Sequence, residues 1–167
     1  MASIIGKNVL VTGASSGIGY ETVLQLLEEG ATVYAAARSV DKMKDLEAKG
    51  AFILAMDVSD EASMSAAFKR IKTEVSGIDI LVNNAGYGSY GSVEDVPIEE
   101  ARRQFEVNIF GLARLTQLVL PAMREKQYGK IVNISSMGGK VYTPFGAWHH
   151  ATQARLGRLV RLSALGA

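Results

Sequence analysis

Two hydrophobic patterns alternate along the chain. Short apolar runs rich in β-branched residues predict buried strands over residues 7–12, 31–37, 51–56, 78–82 and 130–135. Between them, apolar residues recur every three or four positions and predict helices over residues 17–29, 41–50, 60–75 and 97–126. This alternation is typical of a parallel sheet with crossover helices. We therefore expect a doubly wound α/β domain that ends after its fifth strand–helix unit, with ligands beyond the carboxyl ends of the strands.

Composition narrows the class of protein. The chain has 167 residues, of which 48% are hydrophobic, enough for one core but not for two comfortable domains. It contains no cysteine, which excludes disulfides, cysteine–zinc sites and thiol catalysis and fits a reducing compartment. The first residues lack the pattern of a signal peptide, and no apolar run reaches the ~18 residues of a membrane span. We expect a cytoplasmic protein without a membrane partner.

The net charge of +1 conceals an asymmetry. No acidic residue follows Glu125, whereas six of the eighteen basic residues do. A basic end of this kind can indicate a nucleic-acid or anionic-membrane partner. The last fifteen residues, however, hold only three arginines and no interleaved aromatic residue, which argues against nucleic acid.

A glycine-rich turn joins the first predicted strand to the first predicted helix. Its sequence is TGASSGIG, Thr12 to Gly19. Glycines at such a turn let the backbone approach a pyrophosphate, whose charge is met by the amides at the helix N-terminus. In this strand–turn–helix context the turn predicts dinucleotide binding.

The spacing of these glycines resembles the short-chain dehydrogenase/reductase family rather than the GxGxxG of larger dehydrogenases. Four further motifs match that family in order: Asp57-Val58, NNAG at residues 83–86, Asn108 in FEVNIFG, and IVNISS ending at Ser136. The resemblance covers about residues 7–152 and implies a Rossmann-type domain that transfers hydride between NAD(P)(H) and a hydrophobic ketone, aldehyde or secondary alcohol. The cofactor residues that it implies are Gly13, Ser15, Ser16, Gly17, Ile18, Gly19, Arg38, Ser39, Asp57, Val58, Asn84, Ala85 and Gly86.

The end of the second strand bears on the choice of cofactor. Enzymes that use NAD usually hold an acidic residue there, which bonds the ribose 2′-hydroxyl. This chain instead has Ala37, followed by Arg38 and Ser39. Because a guanidinium can bind a phosphate through two hydrogen bonds, we expect NADP(H) to be preferred over NAD(H). The alternative is that Arg38 is an ordinary solvated side chain.

Two of the four catalytic positions implied by the resemblance are changed. Ser136 and Asn108 occupy the serine and asparagine positions, but His149 stands at the tyrosine position and Gln153 at the lysine position. Either His149 is a substitute proton donor, or the acid has been lost and turnover with it; we favour the second. We expect His150 on the helix surface and no metal site. The alternative to an impaired enzyme is an inactive dinucleotide-binding module.

Residues 153–167 depart from the family. With suitable synonymous codons, this segment read one nucleotide later becomes KHALEGWSDCLRLE, which resembles the family's next helix and begins with the missing lysine. We therefore hypothesise a one-nucleotide insertion after the Thr152 codon, with His149 as a separate single-base change. The resemblance implies a homo-oligomer, an assembly that the loss of the family's last segment would weaken. It would also leave the fifth strand as an uncovered sheet edge.

The side chains near the expected carbonyl site are mostly apolar. They suggest either a pocket for a hydrophobic substrate or the packing of an ordinary loop, and they are Tyr87, Tyr90, Met137, Val141, Tyr142, Pro144 and Phe145.

Overall fold

The computed structural model describes residues 3–163 and their side chains as far as Leu156. A single five-stranded sheet, with all strands parallel, has the order β3-β2-β1-β4-β5. The strands are β1 (Asn8–Thr12), β2 (Thr32–Ala37), β3 (Phe52–Ala55), β4 (Ile80–Asn83) and β5 (Lys130–Asn133). The helices are α1 (Gly17–Glu28), α2 (Lys44–Ala48), α3 (Glu61–Glu74), α4 (Ile98–Phe105), α5 (Leu112–Glu125) and α6 (Ala147–Ser163).

The predicted α/β, Rossmann-type doubly wound fold is confirmed, and β1 lies at its centre. Leu10 of β1 pairs with Tyr34 of β2 on one side and with Leu81 of β4 on the other. Strand order reverses between β1 and β4, and the crevice at such a point is where doubly wound sheets bind ligands.

Alternation along β1 divides the core into two halves. Leu10 faces the cluster that includes Phe68 of α3 and Leu115 of α5. Val9 and Val11 face the opposite cluster, against α1 and α2. Successive side chains of a strand point to opposite faces, so a strand buried on both sides needs the continuous apolar run that the sequence shows.

The predicted long helix over residues 97–126 is interrupted. A π-helical turn, Glu106–Gly111, separates α4 from α5. At Gly111 the helix backbone lies against the carbonyl oxygen of Val58, and a Cβ placed there would collide with it. The helical periodicity continues across the turn, which is why the sequence pattern did not reveal it.

At the outer edge of the sheet, β5 pairs only with β4 among the described residues. Its Val132 side chain is 45% exposed. The expectation of an uncovered fifth strand therefore holds for the part of the chain that the structure describes. Within residues 3–163, no helix is both long and apolar enough to cross a bilayer.

Candidate active site

A cleft of about 750 Å³ opens at the carboxyl ends of the strands. The structure brings most of the expected site residues together there: Gly13, Ser15, Ser16, Ile18, Arg38, Ser39, Asp57, Val58, Asn84, Ala85, Gly86, His149 and Gln153 line it. Gly17 and Gly19 lie behind the lining, in α1. Asn108 and Ser136 also lie outside the lining, and each contacts a segment that forms it.

Thr12 ties the ends of β1 and β4 together beneath the cleft. Its buried hydroxyl oxygen accepts hydrogen bonds from the N–H groups of Asn84 (3.1 Å) and Ala85 (3.0 Å). The Asn84 side-chain amide in turn donates to the Thr12 carbonyl at 3.0 Å. Gly13 follows with φ +66°, and a Cβ on it would lie 2.9 Å from Cα of Ala85. The turn thus requires glycine both for its conformation and for this close approach.

The rim of the cleft beside β2 is positively charged. Arg38, which follows β2, and Arg103, which lies in α4, both line the cleft. Burial alone would raise the pKa of Asp57, but hydrogen bonds from Ser59 and the charges of both arginines outweigh it and hold the pKa below its ordinary value. Neither arginine forms an ion pair with another residue of the described part of the chain. Both guanidinium groups are therefore available to an anionic ligand.

Asn108 lies in the π-helical turn and is almost fully buried. Its amide nitrogen donates to the Tyr87 carbonyl (2.9 Å) and to the Thr152 hydroxyl (3.1 Å), and its oxygen accepts from the Tyr87 N–H at 3.1 Å. All its polar atoms are thus engaged by the protein. The side chain clamps the loop after β4 to α6, which carries His149.

Ser136 and His149 meet at the mouth of the cleft. The Ser136 Oγ lies 3.3 Å from the His149 Nε2 and accepts a hydrogen bond from the Gly138 N–H at 3.1 Å. Burial lowers the pKa of His149, and the charge of neighbouring His150 lowers it further; the Tyr87 backbone acts in the opposite direction. His149 is therefore mainly neutral near pH 7.

Gln153 is buried at the lysine position and carries no charge. Its side-chain oxygen accepts a hydrogen bond from the Ser135 hydroxyl at 3.2 Å. This contact joins α6 to the end of β5.

The expectation that His150 lies on the helix surface is wrong. The side chain is 7% exposed, and both ring nitrogens are engaged. Nδ1 lies 2.8 Å from the Gly138 carbonyl, and Nε2 lies 2.9 Å from the Thr143 N–H. The loop that precedes α6 folds back over the side of the helix that carries His150, so the ring links the turn at Gly138 to the loop at Thr143.

The apolar side chains expected around the carbonyl site do not form one enclosed pocket among the described residues. Tyr87 lines the main cleft, and Tyr142 and Phe145 line a separate shallow hollow of about 420 Å³. Tyr90, Met137 and Val141 are exposed, as are Tyr142 and Phe145.

Sequence reasoning missed the contributions of Thr12 and Arg103 to the site. The sequence identifies Thr12 only as the first residue of the glycine turn, although a hydroxyl at the end of a strand can form hydrogen bonds with backbone groups of a neighbouring strand. Arg103 comes from a distant segment, and only the packing of α4 beside the cleft reveals it. No group of three metal-ligating side chains is found within the described residues.

Comparison with known proteins gives one consistent result. A family model described as "short chain dehydrogenase" matches residues 7–165. VdlC of Helicobacter pylori, a probable short-chain type dehydrogenase/reductase, is 43% identical over 147 residues, which are 88% of this chain and 54% of that protein. A 3-ketodihydrosphingosine reductase of Bacteroides thetaiotaomicron is 38% identical over 87% of this chain and 52% of its own length.

Solved structures agree with the sequence matches. A metagenomic short-chain oxidoreductase in complex with NADP superposes with a TM-score of 0.94 at 31% identity, over 99% of this chain and 78% of that one. A 3-ketoacyl-(acyl-carrier-protein) reductase of Brucella melitensis, complexed with NADH, gives a TM-score of 0.93 at 31% identity, over 98% of this chain and 71% of that one. The chain spans about half the length of the curated relatives that it matches.

Proposed function

The chain belongs to the short-chain dehydrogenase family, and we propose that it keeps the family's NADP(H) site while its hydride-transfer chemistry is lost or strongly impaired. The observation that carries this proposal is the unequal state of the two halves of the cleft. The half beneath the glycine turn retains its expected residues in contact with one another, whereas His149 and Gln153 occupy the tyrosine and lysine positions of the other half.

The donor set of the first half suits a dinucleotide. α1 begins at the glycine turn, and the cap residue Ser16 makes no side-chain hydrogen bond to the helix. The first N–H groups of α1 are therefore available to a pyrophosphate. Ser15, Ser16 and Ile18 line the cleft at this point, and the expected cofactor residues Asp57 and Val58 line it as well.

The preference for NADP(H) rests on charge at the rim. Arg38 and Arg103 offer two cations to a 2′-phosphate, and Ala37 stands where enzymes that use NAD usually hold an acidic residue, although Asp57 and Glu100 also line the cleft. The NADP complex of a structural neighbour is compatible with this preference, and the NADH complex of another shows that the fold accepts either cofactor.

Titration calorimetry with NADPH and NADH tests the preference. We expect NADPH to bind more tightly and Arg38→Gln to remove most of the difference. Lys69→Gln, on the exposed side of α3, is the matched loss of a cation and should leave both affinities unchanged. Tighter binding of NADH by the unaltered chain would refute the preference.

The reaction implied by the family is hydride transfer between the nicotinamide and a carbonyl or alcohol carbon, the chemistry that the bound cofactor supplies. In this proposal the Ser136 hydroxyl orients the substrate oxygen. Proton donation is the impaired step. The His149 ring is largely neutral near pH 7 and is then a very weak acid, and Gln153 has no positive charge that would lower the pKa of a proton donor. We propose a hydrophobic ketone, aldehyde or secondary alcohol as the ancestral substrate, since the relatives' names include two ketone reductases.

A shifted reading frame accounts for the change at position 153 and for the whole segment 153–167. We propose that residues 1–152 form the NADP-binding domain and that the rest is translated out of frame. Sequencing of the gene around the Thr152 codon tests this directly, and codons that cannot yield KHALEGWSDCLRLE in the next frame would exclude it. A chain repaired in frame and carrying His149→Tyr should oxidise NADPH with hydrophobic ketones, whereas the unaltered chain should bind NADPH with little or no turnover.

The alternative is a catalytically inactive module that retains the cofactor half and acts as a dinucleotide binder. A repaired chain that binds NADPH but remains inert on a broad panel of ketones and aldehydes would favour it.

A further inference from the structure

The histidine at the tyrosine position creates a pair of side chains with chemistry of its own. A serine hydroxyl within hydrogen-bond reach of a neutral imidazole is the arrangement of an activated nucleophile. We propose that Ser136 and His149 act as nucleophile and general base in a second activity of this chain, the hydrolysis of small uncharged esters.

The geometry of the pair fits these roles. The distance of 3.3 Å between Oγ and Nε2 is at the loose end of hydrogen-bond reach, as is common for such pairs without substrate. The Gly138 N–H donates to the same Oγ, so the hydroxyl hydrogen is left to point towards Nε2. Ser136 is exposed, and an ester in solution can reach it.

The His149 residue also has contacts on the side that faces away from Ser136. The His149 carbonyl accepts a hydrogen bond of 2.8 Å from the Thr152 hydroxyl, which itself accepts from the buried Asn108 amide. The Nδ1 side of the ring is buried against the backbone after β4, where a Cβ on Gly88 would lie 2.9 Å from Nδ1. These contacts fix the helix backbone at His149 and pack one side of its ring, while the buried Nδ1 has no hydrogen-bond partner among the described residues.

The protonation state of the base also fits, because burial lowers the pKa of His149 and keeps the ring able to accept a proton near pH 7. The groups that face the ring are the Tyr90 ring, with centroids 5.6 Å apart, and the His150 ring, with centroids 5.8 Å apart. His150 is fixed by its own hydrogen bonds and does not compete for Ser136.

The steps balance without an oxidant or a cofactor. The Ser136 oxygen forms a bond to the ester carbonyl carbon as Nε2 of His149 takes the hydroxyl proton. The carbon–alkoxy bond then breaks, and the same proton passes from Nε2 to the departing alcohol. Water, deprotonated by His149, attacks the acyl-serine, which releases the carboxylic acid and returns the proton to Ser136.

The surroundings indicate the class of ester. Met137, which follows the nucleophile, is 83% exposed, and Tyr90 lies on the other side of the imidazole. Both surfaces are apolar, so short acyl esters of aromatic alcohols fit better than charged esters.

Hydrolysis of p-nitrophenyl acetate by the purified chain, without nucleotide, tests the proposal independently of NADP(H) binding. We expect turnover above the buffer rate, with Ser136→Ala and His149→Gln each lowering it by about 100-fold, the scale of general-base catalysis. His149→Tyr, which restores the family's residue, should lower it equally. Ser65→Ala, on the exposed face of α3, should leave it unchanged.

Covalent labelling keeps the test decisive if a variant fails to fold. A fluorophosphonate should add one group to the unaltered chain, and peptide mass spectrometry should place it on Ser136. Labelling of another residue, or hydrolysis that survives Ser136→Ala in a folded chain, would overturn the proposal, as would a rate equal to that of buffer.

Discussion

Replacing Asn108 by alanine should destabilise the whole domain, because this buried side chain joins two segments distant in sequence. It makes three hydrogen bonds, two to the Tyr87 backbone and one to the Thr152 hydroxyl. A neutral hydrogen bond contributes about 1 kcal/mol net, and buried partners left unpaired add to the loss. We therefore expect Asn108→Ala to lower the free energy of unfolding by about 3 kcal/mol.

Urea denaturation followed by circular dichroism measures this loss. For a chain of this size, about 3 kcal/mol corresponds to a fall of roughly 6–12 °C in the midpoint of thermal unfolding. Gln117→Ala, which removes an exposed amide from α5, is the matched control and should change stability by less than about 0.5 kcal/mol. A loss below about 1 kcal/mol for Asn108→Ala would show that Tyr87 and Thr152 find other partners, and would refute the argument that this residue clamps the cleft.

Three further predictions concern other buried polar groups. Thr12→Val should lower the free energy of unfolding, measured by urea denaturation, by about 2 kcal/mol and weaken NADPH binding, because two N–H groups of the loop after β4 lose their acceptor. The control variant Thr116→Val, in α5, should lower it by less than about 1 kcal/mol. The unfolding free energy should be highest above about pH 6.5 and fall as the pH drops, because the unfolded chain takes up a proton that the half-buried His149 resists. His149→Gln should flatten that part of the profile, and an unchanged slope would contradict the assignment. Lys126→Met should lower the free energy of unfolding by about 3 kcal/mol in the same assay, because the Asp79 carboxylate, 11% exposed, loses the ammonium group that lies 2.8 Å away. A loss near zero would show that Asp79 takes up a proton instead.

The sheet could be predicted from the sequence because its signals are local. The centre of β1 is three consecutive apolar residues, Val9 to Val11, and an unbroken apolar run of this kind is typical of a strand covered on both faces. Strand ends differ by at most two residues from those expected, as at β5, which ends at Asn133 rather than at residue 135. The spacing of the glycine turn and the family resemblance of NNAG singled out Gly13 and Asn84, and the structure brings the two residues into contact.

The rest depended on packing across long distances in the sequence. The burial of His150 arises from a loop that folds over α6, and no periodicity within that helix encodes it. The π-helical turn around Asn108 leaves the apolar repeat nearly unchanged. The expected apolar pocket failed for a related reason: the aromatic side chains come from two loops distant in sequence, and Tyr87 lines the main cleft whereas Tyr142 lines a separate hollow.

The central position of β1 has a consequence for the synthesis of the chain. One edge of β1 pairs with β2 soon after it is made, but its other edge waits for β4, whose Ile80 pairs with Val9 some seventy residues later. At about 5–20 residues per second, a ribosome needs roughly 4–14 s to supply that partner. Throughout this interval the strand that will lie at the centre of the sheet carries an open edge, where other unfolded chains can pair before β4 is made.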